Sequence, residues 1–219
     1  MSADALAAWV QIRNQIDWTS AAGAVPAPVE PIVDGFTAWC GVGSHSSDVD
    51  RGHRLLAALT RSRTDASHGL PLTRTLLTGW QQLVLGIPEV QFRQGDAFAK
   101  GGRERYALRP HTQRDFERCL RDSADPRVPL ASRAARAYLD VAFFHPFPDG
   151  NARLAMLALA YVLELEGVRL DQVGPLQTTR YADDAAGAAD LAALLFVLIR
   201  STHQRATRFR AASRHRRMS

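Results

Sequence analysis

Residues 131–166 read ASRAARAYLDVAFFHPFPDGNARLAMLALAYVLELE, which is two apolar segments on either side of a short polar loop. The first segment has small or apolar residues at the spacing of one helix face, namely Ala131, Ala134, Ala135, Tyr138, Leu139, Ala142 and Phe143. Pro146 disfavours helical geometry at the preceding residue, so this helix should end at His145. A second helix is expected from about Asn151 to Glu166, ended by Gly167. Its start is apolar nearly all round, which predicts a central, buried position.

The loop between these two helices spans residues 145–153 and reads HPFPDGNAR. A buried loop would leave backbone polar groups unpaired, so we expect this one to open on a cleft. Gly150, Asn151 and Ala152 begin a helix, where unpaired N–H groups and the helix dipole favour an anion. Phosphate is the usual anion at such a position.

The loop side chains add further chemistry to this anion site. His145 can act as a base near neutral pH, and Asp149 is a suitable ligand for Mg²⁺. Arg153 is unfavourable in a first helical turn unless a bound phosphate reverses the local charge, and Phe147 should anchor the loop. On its own, a histidine before proline or an Asp-Gly-Asn turn usually has a structural role and not a catalytic one. Together, these residues predict a phosphoryl or nucleotidyl transfer site.

The remaining chain is predicted to form five more helical segments, an extended connector and one β-hairpin, which makes the protein mainly α. The segments are a helix at Ala3–Ile16, a Pro-rich connector at 17–35, a helix capped by Ser46 or Ser47 and running to Thr60 with Leu55, Leu56 and Leu59 inward, a helix at Leu72–Leu85, a hairpin at Val90–Leu108, a helix capped by Thr112 and running to Leu120, and a last helix at Asp183–Thr202.

Composition excludes several classes of protein. With 219 residues and 46% apolar content, the chain is not intrinsically disordered as a whole. The longest uninterrupted apolar run, Leu154–Leu163, is too short for a bilayer, and the N-terminus lacks the pattern of a secretory signal. Cys40 and Cys119 are the only cysteines, so we expect packed thiols and a cytoplasmic protein.

The net charge of +5 arises from an arginine-rich tail. Seven arginines lie between Arg200 and Arg217, whereas no acidic residue follows Asp190, so the rest of the chain is slightly acidic. The tail is interpreted either as a solvated helix end or as an accessory arm for nucleic acid or phosphate. Without a recognition helix or zinc spacing, the sequence does not favour nucleic acid as a partner, and it indicates no membrane partner.

The central loop resembles the Fic family motif, His-x-Phe-x-Asp/Glu-Gly-Asn-Gly-Arg-x-x-Arg. The matching residues are His145, Phe147, Asp149, Gly150, Asn151 and Arg153. The hairpin at 90–108, with Phe92 and Arg93 at its start, occupies the position of the family's flap. The resemblance implies a Fic-fold helical bundle at 50–205, preceded by a helix and connector at 1–49 and followed by a basic tail at 206–219.

The resemblance also implies an activity. Fic enzymes transfer part of a nucleotide, most often AMP from ATP, to a Tyr, Thr or Ser hydroxyl of a target protein. By match, His145 would deprotonate that hydroxyl, and Asp149 would hold Mg²⁺ between the α- and β-phosphates. Gly150, Asn151 and Ala152 would form the anion hole, with Arg153 neutralising the leaving diphosphate.

The resemblance assigns the hairpin to target binding. The catalytic set would be His145, Asn151 and Arg153. The flap residues Phe92, Arg93, Phe98 and Lys100 would hold a target segment by strand addition.

Two motif positions differ from the family. Ala152 replaces the second glycine, and its methyl group narrows the approach of a phosphate. Met156 replaces the second arginine, which in the family contacts the γ-phosphate and pairs with an inhibitory glutamate. The inhibitory motif Ser/Thr-x-x-x-Glu-Gly/Asn is also absent from the sequence. We therefore expect no autoinhibition of the usual kind, and either constitutive activity on a narrow substrate or control by a separate regulator such as an antitoxin.

The sequence also allows other interpretations. The hairpin cations Arg93, Lys100 and Arg103 either supply the charge that Met156 lacks or are exposed flap charges. The reaction is either nucleotidyl transfer or a related one, with another nucleotide donor, phosphorylation in the Doc manner, or a small-molecule acceptor. A catalytically degenerate nucleotide-binding module is a further alternative, although binding alone does not require His145.

Overall fold

The computed structural model describes residues 3–41 and 49–218 and is mainly helical. Its helices are α1 (Ala5–Gln15), α2 (Gly35–Gly41), α3 (Val49–Ser67), α4 (Arg74–Leu85), α5 (Thr112–Asp122), α6 (Leu130–Phe144), α7 (Asn151–Glu164) and α8 (Ala185–Met218), with a 3₁₀ turn at Gly174–Gln177. The strands β1 (Ala97–Ala99) and β2 (Glu104–Tyr106) pair antiparallel, with Phe98 opposite Arg105. The predicted mainly α fold with one hairpin is confirmed.

Helices α6 and α7 form the centre of the fold. They pack against each other, and α6 also contacts α1, α5 and α8 while α7 contacts α3 and α4. Every residue from Leu154 to Leu163 is buried, as expected for a helix that is apolar nearly all round. The loop that joins α6 to α7 is therefore held between the two central helices of the fold.

Helix α3 is longer than predicted, and one of its residues predicted to face the core is exposed. It continues to Ser67 instead of ending near Thr60. Leu55 and Leu59 are buried, but Leu56 is 39% exposed. Residues one apart on a helix point in different directions, whereas residues four apart share a face, so Leu56 could not join the other two. The predicted caps Ser46 and Ser47 lie outside the described residues.

The predicted cap of α5 is also wrong. His111 occupies the N-cap position, and Thr112 is the first helical residue. The Thr112 hydroxyl instead accepts a hydrogen bond from the Arg109 backbone N–H at 2.9 Å. Thr112 therefore stabilises the turn before the helix.

Helix α8 continues to Met218 instead of ending near Thr202, so the basic segment at its end is helical. Arg205 pairs with Asp171 at 2.5 Å and Arg210 with Glu30 at 3.4 Å. In the part of the chain that the structure describes, Ala185–Arg214 is the one helix long and apolar enough to cross a membrane. This is weak evidence for a span, because core helices meet the same criteria, and α8 buries one face against α6.

A buried ion pair fastens α1 to the central helix. Arg13 binds both carboxylate oxygens of Asp140, Nε to Oδ1 at 2.8 Å and Nη2 to Oδ2 at 3.0 Å. Trp9 Nε1 donates to the same carboxylate at 3.0 Å, and Arg13 also donates to the Cys119 carbonyl. Asp140 is fully buried and Arg13 nearly so.

Both cysteines are buried free thiols, as expected. Burial raises the pKa of Cys40 to about 11, so this thiol is a weak nucleophile at neutral pH.

Candidate active site

The loop after α6 is fixed by its own side chains. Phe147 is fully buried, which anchors the middle of the loop in the core. The buried Asn151 side chain closes the loop on itself: its Oδ1 accepts from the Phe147 N–H at 3.1 Å, and its Nδ2 donates to the Phe147 carbonyl at 2.7 Å. The side chain that the sequence placed among the catalytic groups is thus used to shape the loop, which leaves the Asn151 backbone N–H for the anion site.

His145 ends α6 in left-handed geometry, with φ of 46°. Its Nδ1 lies 2.6 Å from the Ala142 carbonyl. A carbonyl only accepts hydrogen bonds, so Nδ1 carries the proton in the neutral ring and Nε2 keeps its lone pair. The ring stacks on Tyr106, with centroids 4.7 Å apart, and this contact limits its rotation. His145 is therefore held as a neutral imidazole with a basic Nε2.

The pKa of His145 is lowered from its ordinary value. Burial of the ring is the main cause, since it disfavours the charged imidazolium. The positive charges of Arg93 and Lys100 lower the pKa further, while the hydrogen bond to the Ala142 carbonyl and the charge of Glu104 act in the opposite direction. The net effect favours the neutral base at physiological pH.

His145 opens on a cleft of about 710 Å³. One wall is the loop between α6 and α7, and the other is the segment 93–98 at the start of the hairpin. Arg51 of α3 and Arg153 of α7 also line this cleft. The structure thus brings together His145, Asp149, Gly150, Ala152 and Arg153, as the sequence predicted.

The start of α7 lines the cleft and has the geometry that favours an anion. Gly150 is the N-cap in left-handed geometry, with φ of 76°, and no side chain caps the helix. The first amides of a helix have no intrahelical acceptor, so those of Asn151 and Ala152 are suited to a phosphate. Gln81 of α4 fixes this turn by donating from Nε2 to the Asp149 carbonyl at 2.5 Å.

Replacing Gly150 with alanine is expected to damage this turn. The new Cβ would lie 2.6 Å from Gln81 Nε2, and left-handed geometry costs a non-glycine residue about 1–2 kcal/mol. We expect a lower free energy of unfolding, measured by urea denaturation, and weaker binding of ATP, the nucleotide that the motif resemblance implies, measured by calorimetry. Gly79→Ala is the matched control, because its Cβ would meet nothing within 4 Å on helix α4. Equal behaviour of the two variants would contradict the assignment.

Asp149 and Arg153 place opposite charges beside this helix end. The Asp149 side chain is 80% exposed, its Oδ1 accepts from the Gly150 N–H at 2.6 Å, and its Oδ2 lies 3.8 Å from Arg153 Nη2. Arg153 also contacts the Val84 carbonyl through Nη1 at 3.4 Å. Both side chains are therefore directed by contacts within the loop and α4.

The donor set fits Mg²⁺ only in combination with a phosphate. Asp149 offers a carboxylate oxygen to solvent, and oxygen is the ligand atom that Mg²⁺ requires. Within residues 3–41 and 49–218, no group of three His, Cys, Asp or Glu residues is arranged to hold a metal. Mg²⁺ commonly binds one or two carboxylates together with substrate phosphates, which matches a site with one carboxylate beside an anion hole.

Two of the predicted flap residues, Phe92 and Arg93, are buried, although Arg93 also lines the cleft. Phe92 packs near Phe116, and Arg93 is buried. The Arg93 guanidinium donates to the carbonyls of Phe144, Gly95 and Ala107, while its backbone N–H donates to the Pro146 carbonyl. These contacts fasten the base of the hairpin to the loop after α6, and the predicted contact of Phe92 and Arg93 with a target stays a prediction.

Lys100 is also engaged within the hairpin. Its Nζ lies 2.5 Å from Glu104 Oε2 and 4.4 Å from the centroid of the Tyr181 ring. Arg103 lies over the same ring. Of these hairpin cations, neither Lys100 nor Arg103 is among the residues that line the cleft or the cavity around the buried Met156. The structure therefore does not favour Lys100 and Arg103 as a source of the charge that Met156 lacks.

Phe98 is the flap residue that the structure leaves available. It lies on β1, is 61% exposed and lines the cleft. In the described chain β1 pairs only with β2, so its other edge can accept a further strand.

Comparisons with known proteins agree with the motif and the fold. Residues 71–163 match the family model described as Fic/DOC family. No curated protein sequence matches the chain significantly.

Solved Fic structures resemble the whole fold. The crystal structure of an IbpAFic2 histidine-to-alanine variant in complex with adenylylated Cdc42 has a TM-score of 0.54 at 10% identity, covering 89% of this chain and 70% of that one. IbpAFic2 alone has a TM-score of 0.52 at 11% identity, covering 87% and 69%. Fic-1 from C. elegans has a TM-score of 0.50 at 14% identity, covering 96% and 72%.

Proposed function

We propose that this chain, a Fic-type protein by its family match at residues 71–163, transfers AMP from ATP to a Tyr, Thr or Ser hydroxyl of a target protein. The observation that carries the proposal is the contact of His145 Nδ1 with the Ala142 carbonyl, which leaves Nε2 unprotonated. His145 lines the same cleft as the start of α7 and Arg153. A nucleotide-binding module would need the anion site but not an oriented base. The similar fold of IbpAFic2, solved with adenylylated Cdc42, supports a protein as the acceptor.

The residues of the cleft divide the reaction between them. His145 Nε2 accepts the proton of the target hydroxyl as its oxygen forms a bond to the α-phosphorus. The bond between the α-phosphorus and the bridging oxygen breaks, and diphosphate leaves with the electron pair. The amides at the start of α7 hold the phosphate oxygens, and Arg153 stabilises the developing charge on the leaving group. Mg²⁺ bound at Asp149 and the donor phosphates would supply further charge neutralisation.

The hairpin is proposed to present the target. The free edge of β1 can pair with an extended target segment, which fixes the acceptor hydroxyl by backbone hydrogen bonds. Phe98 would contact a side chain of that segment, since it is exposed at the cleft. The Arg93 contacts to the loop after α6 keep this strand in register with His145.

Label transfer tests the reaction type. The chain is incubated with a cell lysate, Mg²⁺ and each nucleoside triphosphate, labelled at the α-phosphate or at the γ-phosphate. Protein labelling from α-labelled ATP alone supports the proposal, whereas labelling from the γ-phosphate alone indicates phosphorylation. Transfer of α-label to a small molecule, or from another nucleotide only, would correct the acceptor or the donor. Activity of the purified chain on its own would support the absence of autoinhibition. Activity only after a bound regulatory protein is removed would support an antitoxin-like partner.

The pH dependence of the reaction follows from the His145 environment. A base must be neutral to accept a proton, and burial lowers the pKa of His145 below 6.5. We therefore expect kcat/KM to be constant above neutral pH and to fall on acidification, with a midpoint below 6.5. A midpoint at or above the ordinary histidine value, measured with a purified target, would contradict this assignment.

A further inference from the structure

Three arginines meet beside the proposed transfer centre. They line a second cavity of about 270 Å³ together with Asp149 and the end of α4, and this cavity adjoins the main cleft. The lining residues are Arg51, Arg54, Val84, Leu85, Asp149 and Arg153. Because Asp149 and Arg153 also line the main cleft, this cavity continues from the position where the phosphates of a donor would lie.

Arg54 is built into this cavity. Its side chain passes over Gly86, where a Cβ atom would lie only 2.7 Å from the Arg54 Cδ, and Gly86 itself is in left-handed geometry with φ of 69°. Its Nε is buried and has no hydrogen-bond partner among the described residues. A buried donor without a partner is costly, so a bound acceptor would be stabilising at this position.

Arg51 lies three residues before Arg54 on α3, and this spacing puts both side chains on one face of the helix. Arg51 already takes part in an interaction within the chain, so a bound phosphate would replace the present partner of its guanidinium group. Three guanidinium groups and one carboxylate, that of Asp149, line the cavity. Such an arrangement is complementary to a polyanion, and guanidinium groups bind phosphate oxygens in pairs.

We propose that Arg51 and Arg54 bind the terminal phosphates of a nucleoside triphosphate, the part of the donor that leaves as diphosphate. This inference rests on the proposed function and names its donor class. The motif position at Met156 is buried and apolar, so it contributes no charge. Helix α3 supplies that charge through Arg51 and Arg54, which line the cavity with Arg153, and the site selects triphosphates over donors with a single phosphate.

Nucleotide affinities test the inference without requiring turnover. Calorimetry with Mg²⁺ compares ATP with AMP for the wild-type chain, Arg51→Gln, and the double variant Arg51→Gln/Arg54→Gln. We expect each substitution to weaken ATP binding about tenfold, the value of a charged hydrogen bond, and to leave AMP affinity unchanged. Because Arg51 is exposed, its single variant should keep the fold. Arg61→Ala on the same helix is the control, since Arg61 lies outside all the cavities that contain Arg153.

The outcomes separate this inference from the proposed function. A double variant that keeps the wild-type ratio of ATP to AMP affinity overturns the inference, even if the wild-type chain transfers label from the α-phosphate. A wild-type chain that binds ATP no better than AMP overturns it too. If the wild-type chain binds no nucleotide at all, the proposed function fails as well.

Discussion

Replacing His145 with alanine is expected to lower the rate of AMP transfer about a thousandfold, within the usual range for loss of a general base. The ring is oriented by the Ala142 carbonyl and by stacking on Tyr106, and the substitution removes this oriented Nε2. ATP affinity should stay near the wild-type value, because the anion site is formed by the start of α7 and Arg153. Single-turnover transfer and calorimetry with ATP measure the two effects separately.

The matched control for this experiment is His203→Ala, since His203 is exposed on α8 and away from the cleft. Its transfer rate should equal that of the wild-type chain. Full transfer by His145→Ala would remove His145 as the base. An equal loss of ATP affinity and of transfer would indicate that the histidine acts in donor binding.

Replacing Asp140 with asparagine is expected to lower the free energy of unfolding by about 3 kcal/mol or more, the usual cost of breaking a buried pair by removing one charge. The substitution leaves the Arg13 guanidinium buried without the carboxylate that binds it through two hydrogen bonds. It also weakens the contact with the Trp9 indole, so α1 is held less tightly on α6, although Trp9 still packs on Phe143. Urea denaturation of the wild-type chain and the variant measures the difference.

Two further variants test the cause of this loss. Arg127→Ala removes an exposed pair with Asp125 and should change stability by less than about 1 kcal/mol. Arg13→Met/Asp140→Leu removes both buried charges and should recover much of the lost stability. An effect of Asp140→Asn as small as that of Arg127→Ala would show that the buried pair does not hold α1 in place.

The central part of the fold was predictable because its signals are local. The α6 pattern, Pro146 and the polar loop are all contained in one segment, and each limits the backbone there. The same is true of α4, where Thr73 caps the start and Gly86 the end. The candidate site residues of this loop are brought together by the loop itself, so their proximity required no tertiary information.

The contacts that the sequence did not predict join segments distant in sequence, whereas the errors at Leu56 and Thr112 are local. The hairpin pattern around Arg93 does not reveal that its guanidinium binds carbonyls of residues 107 and 144, which depend on how the hairpin packs on α6. Arg51 and Arg54 have the spacing of an ordinary solvated helix face, and only the position of α3 beside Arg153 gives them a role. The pair of Arg13 and Asp140 was missed for the same reason.

The most direct test of the proposed activity is the chemical identity of the modified target. Proteins labelled by the chain from α-labelled ATP are digested, and tandem mass spectrometry identifies the added group and the residue that carries it. We expect AMP joined through its phosphate to a Tyr, Thr or Ser hydroxyl, formed by the wild-type chain and not by His145→Ala. A phosphate group alone on that hydroxyl, or an adduct formed equally by both chains, would contradict AMP transfer with His145 as the base.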